Sequence, residues 1–166
     1  MSTLSNLEVK RPAWQTTVIF TLAFWLSASL ILDLVIMPSL YASGMMAQSG
    51  FAATGYLIFG IFNRIELLCA ALVVTGALIL ERTHHISANQ NRTAILLSFI
   101  LLTGTLVCTY FLSPEMSALG VNLNLFDPVT HVPSAMNLLH GSYWLMEIVK
   151  LVAGGTMLSL CYRQKV

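Results

Sequence analysis

The chain has 166 residues, 57% hydrophobic and only 9% charged, with a mean hydropathy of +0.79. A typical water-soluble domain is about 25% charged, so this composition excludes an ordinary soluble protein. The net charge of +1 gives no basic patch for a nucleic acid, and three cysteines without a CxxC give neither a disulfide framework nor a zinc knuckle.

Four apolar runs follow one another along the chain, at about 18–37, 51–80, 93–112 and 135–161. Each reaches the roughly 20 residues that cross a ~30 Å hydrocarbon layer. The first is longer than the ~7–15 apolar residues of a signal peptide, and it reads as a retained span. The expected fold is all-α: a single integral membrane four-helix bundle over 14–162, with spans about 15–38, 53–81, 93–112 and 134–161. Residues 1–13 and 163–166 are then short cytoplasmic tails.

Basic residues orient these spans. Lys10 and Arg11 precede the first, Arg82 and Arg92 flank the second turn, and Arg163 and Lys165 follow the fourth. The loops 38–50 and 113–134 contain no Lys or Arg. The positive-inside rule makes the basic side cytoplasmic, with both termini there. Trp14 then anchors the inner interface. A bacterial inner membrane or thylakoid membrane is the expected location. The 81–92 turn is polar, and its His84 and His85 read as solvated surface more readily than as a metal pair. The 113–134 loop is long and rather apolar, with prolines at 114, 128 and 133. It is expected to lie on the membrane surface or fold over the bundle, with Pro133 opening the fourth helix.

Ionisable residues interrupt the spans. Counting back from the inner boundaries at 1.5 Å per residue places Asp33 ~6 Å, Glu66 ~8 Å and Glu147 ~8 Å below the outer hydrocarbon surface. Three carboxylates from three helices thus share one layer, with Arg64 slightly above, Lys150 slightly below and His140 at the outer rim. Such groups need partners. Residues 61–80 hold eleven Leu, Ile, Phe and Val, about −3 to −7 kcal/mol of insertion energy, against about 2.5–3.5 kcal/mol for each central charge.

Helical phase narrows the pairing. Asn63 and Glu66 share a face, as do His140, Trp144 and Glu147. Glu147 and Lys150, three residues apart, can pair within their helix. Arg64 projects roughly 200° from Glu66 at 100° per residue, which suggests a pairing with Asp33 on the first span. Glu66 then faces the interior near His140 and Glu147. Gly104, Gly154 and Gly155 permit close helix contacts. The layer Asp33, Asn63, Arg64, Glu66, His140, Glu147 and Lys150 reads either as interhelical glue or as a functional site.

Six of eight methionines, Met37, Met45, Met46, Met116, Met136 and Met146, lie in the outer half or outer loops. Thioethers suit soft metals such as Cu(I), and Glu66, His140, Glu147, Met45 and Met46 form the candidate metal set. The alternative is that methionine fills irregular apolar gaps. Haem is less supported, because only His140 is positioned as an axial ligand inside a span.

The stretches "LDLVIMPSLYASGMM", "IFNRIELLCA" and "LLHGSYWLMEIVK" resemble an uncharacterised family of bacterial four-helix membrane proteins. That family is related to the eukaryotic transmembrane protein associated with cisplatin resistance. The resemblance covers most of residues 14–161 and is greatest to cyanobacterial members. More distantly, the pattern is similar to D-type copper-resistance membrane proteins. The resemblance implies a four-helix membrane fold and metal handling, but no defined reaction. The chain departs from a dedicated copper pump in lacking dense His and Met clusters.

Two functions follow as expectations. One is a small non-enzymatic membrane protein that binds or handles a metal cation, copper or another soft metal, or a small solute through this layer. The other is a subunit or assembly factor of a larger membrane complex. In both, the partners are the lipid bilayer and further copies or other subunits.

Overall fold

The computed structural model describes residues 13–44, 51–82, 88–126 and 134–163. The first span runs through α1 (Ala13–Ile31), a π-helical turn (Leu32–Ile36) and α2 (Met37–Ala42). The second is α3 (Phe51–Arg82). The third runs through α4 (Ala88–Val107), a second π-helical turn (Cys108–Leu112) and α5 (Ser113–Phe126). The fourth is α6 (Ser134–Arg163). Four helical segments of 30 or 31 residues are long and apolar enough to cross a membrane.

Both π turns have the same local cause. Pro38 stands two residues after Ile36, and Pro114 two residues after Leu112. Within a helix, proline lacks an N–H for the carbonyl four residues back, and its ring crowds that carbonyl. The chain widens ahead of it: Met37 N–H bonds the Leu32 carbonyl and Ser113 N–H bonds the Cys108 carbonyl, each five residues back. The rod then continues past the proline instead of ending there. This corrects the reading of 113–134 as a surface loop. Its first part, Ser113–Phe126, is helix and extends the third span. Residues 127–133 lie outside the described residues.

The four spans close a ring: α1 packs on α3 and α6, and α4 packs on α3 and α6. Val18, Leu22, Trp25, Ala70, Val73, Ala77, Ala94, Leu101, Ala153 and Met157 make its apolar core. Small residues set the spacing. A Cβ on Gly76 would lie 2.2 Å from Val18 Cγ2, so α1 and α3 meet at a distance that only glycine allows. Gly154 does the same for α6 against Leu26 of α1. Gly155, expected at a contact, has open space before it.

Outside the ring the surface is also oily. Phe20, Phe24, Leu57, Leu68, Leu138, Val152 and many similar residues are exposed. Only 28–33% of the residues in each apolar window are buried. A water-soluble bundle puts polar groups on that outer face; here that face is mainly apolar and Asp33, Glu66, Glu147 and Lys150 are interior, as in a multi-pass membrane protein. Gln15 Nε2 donates to the Cys161 carbonyl at 2.7 Å. The start of α1 and the end of α6 therefore lie at one end of the ring, together with Ala77 of α3 and Ala94 of α4.

Candidate functional site

Toward the opposite end, the apolar core gives way to charge. Glu66 and Glu147 each stand 16 residues before a terminal arginine, Arg82 and Arg163. At 1.5 Å per residue both lie ~24 Å along their helices from that basic end. They meet at Lys150, whose Nζ is 2.6 Å from Glu66 Oε2 and 2.6 Å from Glu147 Oε1. Its stem has room because α4 presents Gly104, where a Cβ would sit 3.3 Å from Lys150 Cγ.

The two glutamates are held differently. Glu66 Oε1 accepts from Trp25 Nε1 at 2.7 Å and from Ser29 Oγ at 3.3 Å, and Oε2 accepts from Lys150. Glu147 has one partner, Lys150, whose Nζ lies against Oε1; Oε2 has no hydrogen-bond partner. Glu66 is 0% exposed and Glu147 1% exposed.

Asp33 joins the cluster from the first π turn. It is buried, Oδ2 has no hydrogen-bond partner, and it lies within electrostatic reach of Lys150 and Glu66. Tyr143, one helical turn from Glu147 on α6, is buried with its hydroxyl unpaired. Its ring meets Phe59 edge-on at 5.5 Å. Cys108, in the second π turn, is fully buried within reach of all four charges. Both π turns thus deliver a polar side chain to this layer, a frequent use of such turns. Its charges comprise three buried carboxylates and one buried ammonium.

The other residues marked in the sequence go elsewhere. Asn63 is buried on the same face of α3, but Nδ2 donates to Ser113 Oγ on α5 at 2.7 Å. Arg64 does not pair with Asp33. It is exposed, on a face shared with Leu57, Ile61, Leu68 and Leu72. A residue 200° from Glu66 leaves the bundle altogether instead of turning to the next helix. His140 is also exposed, and its Nδ1 lies 2.9 Å from the Met136 carbonyl of its own helix. It shares a face with Glu147, but two turns farther on that face is no longer covered. Among the described residues no three His, Cys, Asp or Glu side chains converge as a metal-binding group. Lys150 fills the place between Glu66 and Glu147. Met45, Met46, His84 and His85 lie outside the described residues.

Sequence reading missed Trp25 and Tyr143. The signal for Trp25 was present: Trp25, Ser29 and Asp33 recur every four residues, one stripe on one face of the first span. Comparison with family models, with curated proteins and with solved structures found no match to this chain.

Proposed function

We propose that this chain is a multi-pass membrane protein, with both termini cytoplasmic, that binds and hands on a small cation at the layer formed by Asp33, Glu66, Glu147 and Lys150. The carrying observation is the charge imbalance, three carboxylates to one ammonium in the bundle interior. Buried ions cost several kcal/mol each unless compensated, and within a membrane such residues mark ion or proton pathways. The unpaired polar atoms of Asp33, Glu147 and Tyr143 are all oxygens. Oxygen donors favour a proton or a hard cation over the soft metal suggested by the methionines. Non-enzymatic handling is sufficient for this chemistry.

The test is the thermal stability of the purified protein across pH and across a panel of Na⁺, K⁺, Zn²⁺ and Cu(I), with metal content measured alongside. A bound cation stabilises by mass action, about 2.7 kcal/mol at 100 times its Kd. One member of the panel, or acidification, is expected to raise Tm in wild type and not in the double variant Asp33→Asn, Glu147→Gln. A Tm indifferent to every cation and to pH contradicts the proposal.

A second reading, as a subunit or assembly factor of a larger membrane complex, is favoured by Arg64. Among the described residues no ion pair holds this cation, which lies on an otherwise apolar outer stripe. A partner's carboxylate would satisfy it. Gentle-detergent purification of wild type and Arg64→Gln decides: a stable partner lost from Arg64→Gln supports this reading, and migration of both alone removes it.

A further inference from the structure

We infer that the two glutamates around Lys150 have separate duties: Glu66 is the fixed counter-charge, and Glu147 is the group that takes up and releases the exchangeable cation, a proton. This rests on the cation-handling reading above and names its ligand and its residue.

The argument is one of donors. Glu66 receives hydrogen bonds from three groups on two other helices, Trp25, Ser29 and Lys150. Each is stronger to a carboxylate than to a neutral acid. The surroundings are therefore built for an ionised Glu66. Glu147 is equally buried, yet its one donor is the Lys150 ammonium that it shares with Glu66, and its Oε2 has no hydrogen-bond partner. A carboxylate taken out of water with one shared donor keeps much of its desolvation cost. Protonation removes that cost, and the remaining carbonyl oxygen can stay beside the Lys150 ammonium.

The ionisable groups within electrostatic reach of Glu147 come from four elements. Asp33 comes from the first π turn, Glu66 from α3, Cys108 from the second π turn, and Tyr143 and Lys150 from α6. With all carboxylates ionised the layer carries an excess of two negative charges. A solvent hydronium that gives its proton to Glu147 leaves water behind, forms one O–H bond and reduces the excess to one. No electrons move. Lys150 remains protonated and stays paired with Glu66.

A proton also fits where a metal does not. A metal needs several converging donors, and no such group forms among the described residues. A proton needs one unpartnered oxygen, and Glu147 supplies it in Oε2. The unpaired Tyr143 hydroxyl on the same helix and the Asp33 carboxylate lie within electrostatic reach of it.

Infrared difference spectra of the full chain in lipid vesicles, stepped through pH in H2O and D2O, test this directly. Wild type is expected to show the carbonyl band of a protonated carboxylic acid, shifting in D2O and disappearing at high pH. Glu147→Gln loses the larger part of that band, Glu147→Asp moves it, and Glu66→Gln keeps it; far-ultraviolet dichroism verifies that each variant is helical. A band that survives intact in Glu147→Gln, or that vanishes only in Glu66→Gln, overturns the division of duties and leaves the cation-handling reading standing. Wild type with no such band overturns the division of duties, and a Tm indifferent to pH and to every cation as well overturns both.

Discussion

Lys150 holds the interior together by being its only buried ammonium among the described residues. It has Glu66 on one side and Glu147 on the other at 2.6 Å. Removing one partner of a buried ion pair leaves an uncompensated charge and costs about 3–5 kcal/mol. Lys150→Met is therefore expected to lower unfolding stability in mixed micelles by about that amount. The triple variant Lys150→Met, Glu66→Gln, Glu147→Gln regains most of it, because no ion is left behind. Equal stability of Lys150→Met and wild type would show that the cluster is not an ion pair. Trp25 acts at the same scale. Trp25→Phe keeps the ring and removes the N–H that Glu66 accepts, a loss of about 1.5–3 kcal/mol for a bond to a charged group, measured in the same unfolding assay.

The bundle is set at the scale of the helix by glycines and prolines. Gly76 brings α3 onto Val18 of α1. Gly76→Ala is expected to destabilise by about 1–3 kcal/mol through overpacking. Val18→Ala added to it recovers part of the loss by vacating the overlapped position, and Gly55→Ala, with nothing within 4 Å, is the neutral control. A harmless Gly76→Ala would mean that the two helices do not approach so closely.

The prolines mark what was legible in the sequence and what was not. Hydropathy located all four spans, because twenty consecutive apolar residues have few other uses. The first and third helices run on past the apolar runs that it marked, through Pro38 and Pro114. Each is absorbed by a π turn, and the helix goes on. Counting back from Arg82 and Arg163 brought Glu66 and Glu147 to one level, since rise per residue is nearly constant. Azimuth was less secure. Phase correctly turned Arg64 away from Glu66 but says nothing of whether a neighbour stands there, and none does. The same arithmetic put His140 with Glu147, although α6 is uncovered at that height. Asp33 faces inward on the stripe of Trp25 and Ser29, a phase that was legible once those two residues were read with it.

For the molecule as a whole, the inversion is the informative feature: oil outside, an apolar core at the basic end, and a sealed charge layer toward the other. A layer that served only as glue would carry balanced pairs. Here one Lys150 ammonium serves both Glu66 and Glu147, only Glu66 has further donors, and Asp33 adds a third negative charge. That excess is what the account makes functional. The most direct measurement is the double variant Asp33→Asn, Glu147→Gln, read in one preparation for unfolding stability and for the Tm response to pH and cations. The account predicts that stability stays within about 1 kcal/mol of wild type or rises, since uncompensated buried charge is removed, while the response disappears. A variant that responds to pH and cations as wild type does would contradict it.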